Sequence, residues 1–329
     1  MGKHNKRLLK RIRDLAAYVL LRVAAAAVGI LPEMAAVLVG RAFGRLFWLL
    51  SPKRRRRALE NIERALGGEL PKEEIARIAR ESFVHVGLTV AEILWISRRL
   101  HGDKFSFADR FPVDRLDVVK AELAKGRGAL AATLHLGNWE LFGARLAAGL
   151  GEMAALALPG KNRLVSAYVE RVRERTGVRL INSEGGVRPM VAAVRRGSLL
   201  AFIMDRHVDT AGAHTTFFGR DVATSTAVAA LARRLDVPVF IGCSVREGYS
   251  FRHRGLIEGP LELVKTDDRE SDVLVNTQRF NDHFEAAIRK HPEQWLWVQN
   301  RWKLDKKLRR KQGQAAADNA ALAAKDDED

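Results

Sequence analysis

The 329 residues carry 56 Lys and Arg against 39 Asp and Glu, a formal charge of +17, and 47% of them are hydrophobic. That apolar content suffices for a sizeable core, and the single cysteine, Cys243, rules out an internal disulfide and a cysteine-based metal site. The charge asks for a negative partner, a need that nucleic acid, anionic lipid, a phosphorylated substrate and an acidic carrier protein meet equally well.

Residues 1–50 read as a unit of their own. A basic start (Lys3, Lys6, Arg7, Lys10, Arg11, Arg13) leads into apolar runs at 15–21, 23–32 and 34–40, interrupted by Arg22, Glu33 and Arg41. None approaches the roughly 20 consecutive apolar residues of a spanning helix, and apolar sequence continuing past Ala27 argues against a cleaved signal. The expectation is one or two helices lying in a membrane interface, with arginines reaching headgroups and Phe43, Phe47 and Trp48 as apolar anchors. A pair of ordinary core helices is the alternative. Lys53, Arg54, Arg55, Arg56 and Arg57 then open a helix whose apolar residues Ala58, Leu59, Ile62, Ala65 and Leu66 recur at helical spacing. Each such cation held near an anionic bilayer contributes about 1 kcal/mol. A further helix is predicted from Pro71 through Phe83, Val86 and Val90 to Ile93.

From about residue 118 strands and helices alternate. Strands are predicted at 128–136, 153–158, 178–182, 199–205, 237–246 and 251–257, and helices at 138–150, 163–176, 187–195, 225–235 and 271–291. This is the pattern of an α/β fold with a mainly parallel central sheet flanked by helices. Residues 51–303 would form that α/β domain, and 304–329, basic at 306–311 and acidic at the end, a disordered tail.

The chemistry-bearing stretch is His135-Leu136-Gly137-Asn138-Trp139-Glu140. The apolar run before it delivers His135 to the carboxyl end of a strand, where open α/β sheets bind ligands. A turn at Gly137-Asn138 would bring Glu140, at the start of the next helix, back toward His135. A carboxylate on one imidazole nitrogen fixes the tautomer, leaving the other to take a hydroxyl proton as the oxygen attacks an activated acyl carbonyl. The bland alternative is a satisfied strand-end histidine and a helix-start acid placed for the dipole. His207 and His214 near Asp205 and Asp209 lack the spacing of a metal site, and no metal is expected.

Taken together and in order, several motifs resemble the bacterial lipid A biosynthesis acyltransferase family, with the match running from about Arg54 to Lys303. They are Arg57-Ala58-Leu59-Glu60-Asn61-Ile62, Phe83-Val84-His85-Val86-Gly87 with Glu92, His135 with Glu140 as His-x-x-x-x-Asp/Glu, and Arg173 before Gly177. Gly186-Val187-Arg188, Asp205-Arg206, Phe217-Phe218-Gly219, Pro292 to Trp297 and Arg301-Trp302-Lys303 complete the set. The resemblance implies a glycerolipid-acyltransferase-like fold and no cofactor. The donor would be an acyl carrier protein thioester, or acyl-coenzyme A, and the acceptor an anionic glycolipid at the cytoplasmic face of the inner membrane. His135 would be the base and Glu140 its orienting partner. Arg173, then Arg188, would contact the carbonyl or oxyanion, with Asn138 and Asp205 as further substrate-side residues. Asp205-Arg206 departs from the Asp-Gln pair of many relatives. Phe217-Phe218-Gly219 reads as loop packing ahead of acyl contact, while Trp295, Trp297 and Trp302 either face lipid or pack the last helix.

Rival readings are a same-fold enzyme using acyl-coenzyme A on another glycolipid or phospholipid, and a noncatalytic lipid-surface protein. A nucleic-acid-binding protein is a third, against which no helix-turn-helix, zinc motif or aromatic platform accompanies the charge.

Overall fold

The computed structural model describes residues 3–99, 107–151, 153–157, 160, 162–182, 185–209 and 212–303, with the side chains of residues 3–7 and 157 left aside. The predicted tail and its basic run lie outside the described residues. In chain order the elements are α1 (Lys3–Ile30), α2 (Glu33–Leu50), α3 (Pro52–Leu66), α4 (Lys72–Ile96), α5 (Phe107–Arg110), α6 (Leu116–Ala124), β1 (Ala129–Thr133), α7 (Trp139–Leu150), β2 (Met153–Ala157) and α8 (Arg163–Arg175). They continue with β3 (Val178–Asn182), α9 (Val187–Arg195), β4 (Leu199–Ile203), β5 (Gly212–Phe217), β6 (Arg220–Ser225), α10 (Ala227–Leu235), β7 (Val239–Arg246), β8 (His253–Glu258) and α11 (Arg269–Lys290).

Six strands form one sheet in the order β3-β2-β4-β1-β7-β8, parallel except for β8, which pairs antiparallel with β7. β1 lies inside the sheet with all five residues buried, which is why its sequence is an unbroken apolar run rather than an alternation. Its side chains divide by parity. Leu130 and Ala132 enter one core, with α3, α9, α10 and α11, whereas Ala129 and Ala131 enter the other, with α2, α6 and α7. Cys243 on β7 is buried, and burial pushes its thiol up to about 12.

α2 crosses α4 at very close range. A Cβ on Gly44 would lie 2.5 Å from the Phe83 carbonyl oxygen, and one on Gly87 would lie 2.3 Å from that of Gly40. No single described helix is long and apolar enough to cross a membrane; α2 and α3 pass such a test only as a pair, bent by 94°. Both N-terminal helices nevertheless leave large apolar side chains outward, among them Leu20 and Val23 on α1 and Met34, Leu46 and Leu50 on α2.

Two expectations need correction, and one alternative left open is decided. A β-hairpin, β5–β6, occupies the stretch before α10, with Phe218 and Gly219 at φ 51° and 65° making its turn, so α10 starts two residues later than predicted. Trp295, Trp297 and Trp302 are buried and pack with Phe217 and Phe218, so they face the core rather than lipid. Phe47 and Trp48 are only partly exposed because both rings pack on Phe83, at 4.8 and 5.2 Å, under the guanidinium groups of Arg54 and Arg55. The more open apolar side chains there are Phe43, Leu46, Leu49 and Leu50. Of the remaining basic run, Arg56 pairs loosely with Glu60 and Arg57 reaches the Val298 carbonyl.

Candidate active site

The connections from β1 and β4 depart in opposite directions. β1 leads through α7 to β2, and β4 leads through the hairpin and α10 to β7 on the other side of β1. Between two such strands an α/β sheet opens a crevice at its carboxyl edge. The register pairs Ala129 with Leu199 and Thr133 with Ile203, so carrying it two residues further sets position 135 opposite 205.

His135 and Asp205 do meet. The Asp205 Oδ1 atom lies 2.7 Å from His135 Nδ1, and Oδ2 accepts the His135 backbone N–H at 2.8 Å. Oδ2 also accepts Trp295 Nε1 at 2.7 Å and Gln299 Nε2 at 3.1 Å. Burial alone would raise the Asp205 pKa, but the His135 ring and backbone together with the Trp295 indole outweigh it and hold the carboxyl at about 2. An ionised carboxylate only accepts, so it fixes the proton on Nδ1 and leaves Nε2 with a lone pair. The side chain of Asp205 is 0% exposed and that of His135 12%, which places the acid behind the ring and the ring at the surface of the site. Asp205 is therefore placed to orient the ring, and its buried oxygens offer a substrate no contact. The pairing assigned to Glu140 from five-residue spacing is corrected by this geometry.

Glu140 instead grips Arg173 of α8. Nε donates to Oε2 at 2.8 Å and Nη2 to Oε1 at 2.5 Å, a two-point pairing. Burial works against the guanidinium charge, yet the hydrogen bonds and charge of Glu140 raise the Arg173 pKa above its ordinary value. Both side chains line an apolar channel between α7 and one face of the sheet. Its floor includes Ala155, Ala201 and Ala131, register neighbours across β2, β4 and β1. Three small side chains in a row leave the space that larger ones would fill. Trp139 lines the same channel and meets the His135 ring edge-on at 4.7 Å, linking the apolar space to the imidazole.

The turn between His135 and α7 is locked from beneath. Gly137 has φ 60°, and a Cβ there would lie 2.3 Å from the Ser244 carbonyl oxygen, so only glycine fits. Asn138 is fully buried. Its Oδ1 caps α7 by accepting Leu141 N–H at 3.2 Å, its backbone N–H donates to Ser244 Oγ at 3.0 Å, and its Nδ2 donates to Glu92 at 3.0 Å. The expected substrate contact by Asn138 is corrected accordingly, because its side-chain groups are committed inward. Glu92 is buried within α4, 2.8 Å from Arg246 Nη2 and 2.9 Å from His253 Nε2. Burial would raise its pKa, but Arg246, His253 and Asn138 hold it at about 2. The positioning part played by Glu92 was missed in the sequence, although an acid between Ala91 and the apolar Ile93-Leu94 was a usable signal. Arg188 sits exposed on the first turn of α9, apart from the residues that line the channel. Among the described residues no group of three His, Cys, Asp or Glu side chains is placed to hold a metal ion.

The family model described as bacterial lipid A biosynthesis acyltransferase matches residues 3–304. The chain is similar to the lipid A biosynthesis palmitoleoyltransferase of Escherichia coli strain K12, 25% identical over 237 residues, covering 70% of this chain and 73% of the relative. It is also similar to a phosphatidylinositol mannoside acyltransferase of Mycobacterium tuberculosis strain CDC 1551 / Oshkosh, 28% identical over 195 residues, 58% of this chain and 59% of the relative. The lipid A biosynthesis myristoyltransferase of Escherichia coli strain K12 is 28% identical over 160 residues, 47% of each chain. A strand-end imidazole with a buried acid, opening on an apolar channel, thus stands in a chain that belongs to the bacterial lipid A biosynthesis acyltransferase family and is an acyltransferase.

Proposed function

We propose that the protein moves a fatty acyl chain from an acyl carrier protein thioester to a hydroxyl of a lipid A precursor at the cytoplasmic face of the inner membrane. The observation that carries this reading is the His135–Asp205 pair, set beside an apolar channel through Trp139. The acyl chain would lie in the channel with its thioester carbonyl at the mouth. His135 Nε2 would take the acceptor hydroxyl proton as the oxygen attacks, and the proton would pass to the leaving thiolate as the tetrahedral intermediate collapses. Arg173, charged and held by Glu140, would stabilise the negative oxygen of that intermediate. The formal charge of +17 suits an acidic carrier and an anionic acceptor, and the exposed apolar side chains of α1 and α2 suit a membrane surface.

A second acceptor class has its own support, since the relatives include phosphatidylinositol mannoside acyltransferases as well as lipid A enzymes. The test is transfer of labelled acyl groups from carrier-protein and coenzyme A thioesters to a lipid A precursor and to a mannosylated phosphoinositide. The carrier donor and lipid A precursor should be preferred, and His135→Ala should abolish transfer. Near-normal turnover in that variant would sink the mechanism. Preference for the phosphoinositide would select the second reading. The channel has a separate probe. A Cβ on Gly143 meets nothing within 4 Å, and Gly143 lines the channel, so Gly143→Leu should shorten the accepted acyl chain without unfolding α7.

A further inference from the structure

A second cleft lies between α1, the end of α4 and the face of α8 that bears Arg171 and Arg175. It is open to solvent on one side, and its lining includes Arg22, Arg98, Arg171 and Arg175 but no aspartate or glutamate. Elsewhere several guanidinium groups of this protein meet acids, among them Arg77 with Glu74, Arg110 with Glu33, Arg173 with Glu140 and Arg246 with Glu92. Among the described residues none of the four cleft arginines is ion-paired. Two of them, Arg22 and Arg171, are also held in place. Arg22 donates to Tyr18 Oη at 3.0 Å and lies 5.7 Å from the Tyr168 ring centre, while Arg171 Nε donates to the Ala167 carbonyl. The Tyr18 hydroxyl sits between Arg22 and Arg171, and their hydrogen bonds and charge lower its pKa.

Four like charges gathered in one concavity repel each other, a cost that a compact anion in their midst would reverse. Guanidinium groups present planar forks that match phosphate oxygens at two points each. The concave shape, drawn from three elements, fits a phosphate group better than the flat flank of an acidic helix. Leu15, Val19, Leu20 and Val23 stand exposed on the same helix as Arg22, so apolar surface adjoins the cleft. We infer that the α1–α8 cleft is a binding site for the phosphate group of a lipid, with the lipid's chains lying along α1. The inference goes beyond the acyl-transfer reading and does not depend on it, because binding can be measured without turnover.

The test uses the full-length protein and three probes: phosphatidylcholine vesicles carrying phosphatidic acid, the same vesicles without it, and soluble inorganic pyrophosphate. Flotation should show retention that depends on phosphatidic acid, and Arg171→Gln/Arg175→Gln should weaken it by roughly tenfold or more. Arg171→Lys/Arg175→Lys, which keeps charge but loses the fork, should fall between. Arg195→Gln/Arg196→Gln removes equal charge from the exposed end of α9 and should cost much less. Equal losses in the two Gln pairs would mean net charge rather than a site, and would overturn the inference. So would binding unchanged in the cleft variant. Pyrophosphate binding lost in the same variant, without vesicle dependence, would overturn the lipid assignment in favour of a soluble phosphate. An unchanged far-ultraviolet spectrum and melting midpoint identify the variants as folded.

Discussion

The two sides of the Gly137–Asn138 turn are built from the same residue types and do opposite things. On the inner side, Asp205 and Glu92 are carboxylates with no exposed surface to speak of, each ringed by donors from distant parts of the chain. On the outer side, Glu140 and Arg173 remain 23% and 30% exposed at the mouth of an apolar channel. The inner acids have no room for a substrate and fix the positions of other groups. The outer pair faces the space where a substrate would lie. Burial, rather than charge or distance along the chain, separates a residue that positions from one that touches.

The sharpest way to break this comparison is Asp205→Asn. The amide can present its N–H toward His135 Nδ1, favouring the wrong tautomer and leaving Nε2 without its lone pair. Losses of about 10³–10⁴ in kcat are the expectation for such a change in a base–acid pair, with KM for the acyl donor little altered. Steady-state kinetics over both substrates checks it. If kcat fell by less than tenfold, Asp205 would be structural only.

Much of this was legible in the sequence. Strands at 178–182 and helices at 187–195 match the structure at both ends, and His135 was placed at a strand end from the apolar run before it. The orienting acid was not, for a physical reason. Its candidacy depends on β4 lying beside β1, and strand order is set by how helices cover the sheet, which no local pattern encodes. Both strands were predicted to end in a chemically active residue, 135 or 205, so the ends were visible while their adjacency was not. Sequence proximity favoured Glu140 instead. The tryptophans at 295, 297 and 302 posed the same difficulty, because nothing local says whether an aromatic faces lipid or a hairpin such as Phe217-Phe218.

Glu92→Gln should leave chemistry in principle possible but weaken the fold. It strands the Arg246 guanidinium, whose side chain is 0% exposed, without its counter-charge. Removing one partner of a buried pair costs about 3–5 kcal/mol, to be measured as a lowered urea midpoint with the denaturant slope unchanged. A midpoint within error of the parent would show that Gln hydrogen bonds suffice and that the charge is dispensable. Glu140→Gln tests the outer side. Arg173 would lose its two-point anchor and part of what sustains its charge, so kcat should drop by about 10- to 100-fold, roughly 1.4 to 2.8 kcal/mol of barrier, while the urea midpoint stays put. A stability loss as large as that of Glu92→Gln would erase the distinction between the two sides.

The smallest effect concerns His85, on the inner side near Arg246 and His253. It is buried against Tyr249, with ring centres 5.9 Å apart, and its Nδ1 has no hydrogen-bond partner among the described residues. Burial above all, with Arg246 and His253 adding, lowers its pKa to about 3 from an ordinary 6.5. The folded protein therefore holds the ring neutral over a range in which the unfolded chain binds a proton, so stability must fall as pH drops below about 6.5. From about pH 7.5 to about 5.5 this one group should remove roughly 1.4 kcal/mol. His253, also lowered chiefly by burial, adds a loss of the same sign. The buried acids act lower, since Asp205 and Glu92 stabilise the fold above their ordinary values and lose that contribution only as pH falls toward about 2. His85→Phe keeps a ring against Tyr249 and removes the titration, so its urea midpoint should decline less steeply than the parent's from about pH 6.5 down to about pH 3, and in parallel with it only below that. Parallel curves throughout would mean that His85 is protonated inside the fold, and that the inner side of the turn is wetter than its geometry implies.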